Sequence, residues 1–354
     1  MNTLKVIYNP SEWKELLSTH SITDVYFQYE YVKPMANHMN AEPLLINYAS
    51  ENGGFLYCLL VMDIANDKKF AGLIPNGTFF DAETPYGYGG PCFYGDKIFD
   101  SEEVKQCQSL IKDELGKRNI VTQFIRFYPF MFEEGKSSII TEKIGTYKNT
   151  IYMDLSDEET VLSNLDSQYR RKIRKAREAG VSIEHDKGEQ IDEFIRLYNM
   201  TMSMHAAEDM YFFPKEYYDS LIRDFRDDIE VFYARLEGKV IGASIFLHDG
   251  EYMHFHLGGR DVDAPNVPFE NLLMVEAALW GSKHGLKKLH LGGGLSDEDS
   301  LFQYKKKFNR SGMLPFYIGR LIIDDDKYAQ LMEIRKHSDE QFDSNNKFYI
   351  QYRF

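Results

Sequence analysis

Residues 230–294 read EVFYARLEGKVIGASIFLHDGEYMHFHLGGRDVDAPNVPFENLLMVEAALWGSKHGLKKLHLGGG. The apolar or alternating runs Glu230–Leu236, Val240–His248 and Glu251–Leu257 read as strands. Glu237-Gly238 and Asp249-Gly250 part them as two-residue hairpin turns. A loop with Pro265 and Pro268 follows, and then a helix over Glu270–His284. Gly285 takes the C′ position, where a left-handed residue ends a helix. The strand Lys288–Leu291 then runs into Gly292-Gly293-Gly294. The stretch therefore predicts antiparallel strands, a loop, a helix and a further strand.

The same order occurs once before. Leu44–Tyr48 and Phe55–Met62 read as strands, Thr84–Pro91 as a Gly/Pro-rich loop, Glu102–Arg118 as a helix and Val121–Phe127 as a strand. Between the halves, Thr150–Leu155 reads as a strand and Ser156-Asp157-Glu158-Glu159 as a capping box. Leu162, Leu165, Tyr169, Ile173 and Ala176 recur at helical spacing until Gly180. Two more helices are predicted, over Gln190–Met204 and Pro214–Phe225, with Pro214 at N1. A chain of 354 residues, at about 150 per domain, suits two domains. The reading is a mixed-sheet α/β fold divided into 1–149 and 150–354.

Hydrophobic residues make up 43% and charged residues 27%, which excludes a disordered, collagenous or coiled-coil chain. Cys58, Cys92 and Cys107 are odd in number and lack CxxC spacing. That argues against a disulfide framework or a zinc site and for buried thiols in a reducing compartment. The longest apolar run, Phe55–Met62, is too short to span a bilayer, and the N-terminus has no signal-peptide core. A cytoplasmic protein is expected, with peripheral membrane contact allowed. The net charge of −14 disfavours DNA and admits a polyanion only where basic residues concentrate.

Such concentration occurs twice. Gln168–Arg177 carries six cations and no anion. On a helix Arg170, Arg174 and Arg177 share one face, and Arg171 and Lys175 the next. Their mutual repulsion points to a diphosphate, a CoA tail or RNA, or else to a solvated face answered by acids elsewhere. The second island follows Gly292-Gly293-Gly294, in Tyr304-Lys305-Lys306-Lys307-Phe308. A lysine where a strand ends in glycines would pair with phosphate or stabilise an acyl-transfer oxyanion. A surface lysine run is the plainer reading.

Two further motifs stand out. Asp81-Ala82-Glu83-Thr84-Pro85-Tyr86-Gly87-Tyr88-Gly89-Gly90-Pro91 combines glycines that admit close approach with tyrosine faces and hydroxyls. It reads as a ligand loop or a tight structural one. Tyr252, His254 and His256 alternate onto one strand face. With no third ligand in useful spacing they do not make a metal site, and they read as a polar cleft wall or as packed histidines.

These motifs together resemble the FemAB-like branch of the GNAT superfamily, the peptidoglycan-bridge aminoacyltransferases and related polysaccharide-pathway acyltransferases. The resemblance runs from Thr150 onward. It rests on Arg170–Ala176, on Asn271-Leu272-Leu273 with Glu276-Ala277 and Trp280-Gly281, on Leu291–Gly294, and on Tyr304–Phe308, which is similar to the family's Phe-Lys-x-x-Phe with Tyr304 for the first Phe. It implies two tandem GNAT-like domains. It also implies an acyl- or aminoacyltransferase, or an N-acetyltransferase, acting on an amine of a nucleotide- or lipid-linked envelope precursor, in peptidoglycan or polysaccharide biosynthesis. No bound cofactor is implied; the acyl donor, acyl-CoA or aminoacyl-tRNA, is a co-substrate. Lys305 takes the oxyanion role by resemblance, with His254, His205 and Glu208 as further proton-transfer candidates. Arg170, Arg171, Arg174 and Lys175 would hold a diphosphate or RNA backbone. Tyr86, Tyr88, Gly89, Tyr304 and Asn271 would line the substrate cleft. The stretch Gly259–Pro268 lacks the Arg/Gln-x-x-Gly-x-Gly/Ala loop with which acetyl-CoA enzymes grip pyrophosphate. A binding module of the same fold without chemistry is the alternative.

Overall fold

Glu237 and Gly238 take φ of +51° and +79°, the pair of left-handed residues that a two-residue hairpin needs. They join Ile229–Leu236 to Lys239–His248 and begin the part of the molecule that carries the site. The computed structural model describes residues 2–354. Its elements in chain order are β1 (Thr3–Ile7), α1 (Pro10–Thr19), α2 (Tyr29–His38), β2 (Glu42–Ser50), β3 (Gly53–Asp63), β4 (Phe80–Glu83), β5 (Cys92–Gly95), α3 (Ser101–Gly116), β6 (Ile120–Arg126) and β7 (Lys143–Asp154). Then come α4 (Glu158–Ser163), α5 (Ser167–Glu178), β8 (Ser182–Asp186), α6 (Ile191–Met204), α7 (Lys215–Asp224), β9 (Ile229–Leu236), β10 (Lys239–His248) and β11 (Tyr252–Arg260). The chain closes with α8 (Phe269–Lys283), β12 (Lys288–Gly292), α9 (Ser300–Lys306), β13 (Met313–Ile322) and α10 (Asp325–Ser338).

The chain forms two units. The first takes in the chain to Ile22, Tyr26–Tyr147 and Phe316–Phe354; the second takes in Thr23–Val25 and Lys148–Pro315. The expected division at 149/150 differs from this at Thr23–Val25, which go with the second unit, and at its far end. The last segment sits in the first unit because β13 pairs antiparallel with β6, from Ile318↔Arg126 to Ile322↔Thr122. Tyr352 and Ile350 then bury beside Phe70, Tyr328 and Leu331. Arg353 fixes the end of the chain, with Nε 2.7 Å from Asp81 and Nη1 3.1 Å from Glu83.

In the first unit the strands run β1-β2-β3-β4-β6-β13, with β5 beside β3, and β4 and β6 are parallel. Cys107, Ile111 and Leu115 of α3 cover one face. All three cysteines are buried and free.

In the second unit the order is β7-β12-β11-β10-β9-β8. Helices α5 and α8 share one core with this sheet through Tyr169, Ile173, Leu272 and Val275. On β11, Gly259 leaves no room for a side chain, because a Cβ there would meet the backbone of Leu197 and Tyr198; α6 lies directly on that strand. Strands β11 and β12 pair in parallel only over Tyr252↔Lys288, Met253↔Leu289 and His254↔His290. Beyond that point β11 continues alongside β10 to Arg260, so the two parallel strands part.

Three local expectations are corrected. Ser156 does not cap a helix: Asp157 does, accepting from the Thr160 amide at 2.6 Å. The run from Leu162 to Ala176 is two helices, since the chain breaks at Asn164 and Asp166 caps α5 by accepting from the Gln168 amide at 2.8 Å. Leu162 is accordingly exposed. Pro214 is the N-cap of α7 rather than its first helical residue.

Candidate active site

A cleft of about 650 Å³ opens beside β10 and β11 in the second unit. Its walls are Ser244 of β10, Phe255 and Gly258–Arg260 of β11, the Asn266–Pro268 loop, the first turns of α8, Thr201 of α6 and Tyr304 of α9. Helix α5 turns Lys172 and Lys175 toward it. At the start of α8, Arg260 Nη1 lies 2.9 Å from Glu270 Oε1. Burial raises the Glu270 pKa, and Arg260 and Lys172 act against that rise. Asn271, next along the helix, is buried in the cleft wall.

Tyr304 and Lys305 stand side by side on α9 and face different spaces. Tyr304 lines the cleft, and burial pushes its phenol pKa well up. Lys305 is 8% exposed and donates to the Gly293 carbonyl at 2.7 Å. Its Nζ also lies 5.8 Å from the ring centroid of Phe255, so one aromatic ring borders both the cleft and the amine. Burial, reinforced by the nearby Lys148 and opposed by Asp299, lowers the Lys305 pKa to about 7. Near neutral pH both its forms are therefore populated.

The two basic islands meet at one residue. Lys172 and Lys307 lie 5.3 and 5.9 Å from the ring of Tyr169, and the Tyr169 hydroxyl donates to Tyr304 O at 2.9 Å. Several of the cations have local partners. Arg170 donates to the Leu165 carbonyl at 2.6 Å, closing the turn before α5. Arg174 pairs with Glu178 at 3.6 Å, Arg177 with Glu276 at 2.6 Å, and Arg310 with Asp166. Arg171 is exposed on α5 and, like Arg170 and Arg174, is absent from the cleft lining. Of the four predicted anion binders, only Lys175 lines the cleft; Lys172 accompanies it.

Tyr304, Asn271 and Lys175 thus share the cleft, and Lys305 stands behind Phe255. The other predicted residues lie elsewhere. His205 caps the end of α6, and Glu208 precedes a short turn; both are exposed and neither lines the cleft. His254 is buried in β11, with Nε2 3.3 Å from Asp24 Oδ2 and its ring 6.2 Å from that of His290. Tyr86, Tyr88 and Gly89 belong to the first unit. There the Tyr86 carbonyl accepts from Tyr31 at 2.7 Å, and Tyr88 packs edge-on against Tyr26 and Phe316. Gly89 exchanges backbone hydrogen bonds with Arg126 and Tyr128. Sequence reasoning missed Lys172, Arg260, Glu270 and Ser244. Gly259–Pro268 drew notice only for the pyrophosphate loop it lacks, yet it frames the cleft.

Residues 163–306 match the acetyltransferase (GNAT) domain family. The chain superposes on FemX with a TM-score of 0.64 at 13% identity, covering 92% of this chain and 99% of that one. This chain's central segment is similar to a GNAT domain, and the chain has a FemX-like fold. The cleft and the buried lysine beside it both lie within this GNAT-like segment. The C-terminal domain of a putative lysylphosphatidylglycerol synthetase from Agrobacterium fabrum superposes with a TM-score of 0.55 at 13% identity, covering 93% and 97% of the two chains. A tandem GNAT protein from the clavulanic acid biosynthesis pathway gives 0.50 at 9% identity, covering 90% and 98%. No curated relative matches the sequence. Among the described residues no helix is long and apolar enough to cross a membrane.

Proposed function

We propose that this protein moves an activated acyl or aminoacyl group onto an amine of a nucleotide- or lipid-linked envelope precursor, on the cytoplasmic side. The observation that carries the reading is Lys305, a buried amine beside the cleft with a pKa of about 7, close to the pH at which such an enzyme works. As the acceptor nitrogen attacks in the cleft, the proton it sheds is relayed to Lys305 behind Phe255, and the resulting ammonium places positive charge beside the site where negative charge grows on the acyl oxygen. Lys172, Lys175 and Arg260 suit the phosphates of a CoA or tRNA donor, while Asn271 and Tyr304 orient its acyl end.

The test is direct. Purified protein is mixed with acyl-CoA or charged tRNA and an amine-bearing precursor, and products are read by mass spectrometry with and without ribonuclease. A precursor with one added acyl mass is expected. Ribonuclease resistance assigns the donor to CoA, and sensitivity assigns it to tRNA. No product from either donor would leave the chain a binding module. Lys305→Ala should lower turnover at least about a hundredfold with the fold intact; unchanged turnover would remove Lys305 from the reaction. Because the amine form must accept the proton, turnover should rise with pH along a limb centred near 7.

A further inference from the structure

Two lysines from distant parts of the chain send their ammonium groups to consecutive carbonyls. Lys305 donates to Gly293 O at 2.7 Å, and Lys148 of β7 donates to Gly294 O. The glycine loop lies directly on β7, since a Cβ on Gly293 would stand 2.6 Å from Asn149 O. Lys148 is half-buried and Lys305 buried.

Two carboxylates stand near the pair, and each is also held by other donors. The Asp299 carboxylate is taken up by the amides of Leu295, Ser296 and Phe302, the last two at 3.0 and 2.6 Å. Asp297 accepts from Asn149, backbone amide and side chain both. On the remaining sides Lys305 meets the Phe255 ring of β11 and the buried His290 of β12, with which it interacts electrostatically.

We propose that Lys148 is a positioning residue whose charge keeps Lys305 a proton-exchanging amine instead of a fixed cation. Like charges in a poorly hydrated site disfavour the doubly protonated state. Lys148 acts on Lys305 in that sense, after burial itself. Burial lowers the Lys148 pKa too, with Asp299 and Asp297 opposing. Lys148 is the less buried of the two, and two carboxylates act to raise its pKa against one for Lys305, so it is the member that keeps its charge.

The catalytic consequence rests on the acyl-transfer reading of Lys305. The acceptor nitrogen forms the C–N bond, and its proton passes to the lone pair of Lys305 Nζ. The C–O or C–S bond to the donor then breaks, and the ammonium returns that proton to the leaving oxygen or sulfur. Lys305 ends the cycle as it began, an amine ready for the next proton.

The experiment reads Lys305 directly. The full chain is labelled with trace acetic anhydride across a pH series, and the peptide bearing Lys305 is quantified by mass spectrometry for wild type, Lys148→Met, Lys148→Gln and Lys148→Arg. Removing the charge should raise the labelling midpoint by about one pH unit, a roughly fivefold slower reaction at pH 7. Arginine should hold the midpoint near that of wild type. Lys148→Gln, which keeps a donor for Gly294 O, secures the result if the methionine variant does not fold. A midpoint unchanged in the neutral variants would overturn the proposal. The turnover profile is read separately. A labelling midpoint that moves while the acid limb of turnover stays put keeps the lysine pair and overturns the acyl-transfer role of Lys305.

Discussion

Lys305 burdens the fold that holds it. In the folded chain it loses its proton near pH 7 against an ordinary value of 10.5. Between those limits the unfolded chain binds more protons, so stability rises with pH across that window. The penalty is fully present below pH 7 and is on the order of 5 kcal/mol. Lys305→Met should therefore stabilise the protein at neutral pH by roughly 2 kcal/mol, allowing for the unpaired Gly293 carbonyl, while abolishing turnover. Urea unfolding at pH 7 and at pH 10 checks this, and the advantage of the variant should shrink at the higher pH. Glu270 makes a second prediction at this scale. Its carboxylate occupies Arg260 in the first turn of α8, where a donor phosphate would be received. Glu270→Gln should lower the donor KM by about threefold to tenfold with little change in kcat. A raised KM would detach the donor phosphate from this end of the cleft.

Elements were legible where the chain carries its own punctuation. The strands β9, β10 and β12, the hairpin at Glu237-Gly238 and the stop of α8 at Gly285 follow from alternation, turn residues and a C′ glycine. The break between α4 and α5 was not legible, because Leu162, Leu165 and Tyr169 keep helical spacing across it. What decides it is the Asp166 side chain, whose two oxygens serve the Gln168 amide and Arg310, and Arg310 lies far along the chain. Asp166→Ala removes that cap and should cost about 1 kcal/mol, read as a lower denaturation midpoint. The cleft was hidden for a similar reason. Which face of α5 meets it depends on tertiary packing, so the arginines that look most numerous in sequence are not the cations it uses. Lys172 lies within the quoted basic run, but periodicity gives no means of preferring it over Arg171.

At the scale of the whole molecule, the doubled element order was legible and its limits were not. No local signal marks β13 as the partner of β6. The ionic cluster that closes the first unit joins Asp81 and Glu83 to Arg126 and to Arg353 near the end of the chain. Burial alone would raise the Glu83 pKa, but Arg126 and Arg353 hold it below the ordinary carboxyl value. Its contribution is thus present above that value and lost as pH falls through the folded pKa. Arg353→Met leaves two buried carboxylates short of a partner and should cost about 3–5 kcal/mol. Guanidinium unfolding should show that loss.

The partition of the chain also has a temporal meaning. A ribosome releases residues in order, and domains fold as their parts emerge. The second unit needs Thr23–Val25 and Lys148–Pro315, all of which precede the segment that completes the first. The unit that comes first in this sequence is therefore the later to mature, waiting with β6 unpaired on one side until Phe316–Phe354 has been synthesised. Nascent chains arrested once Pro315 has cleared the exit tunnel should show a protease-resistant second unit and a first unit still open to cleavage.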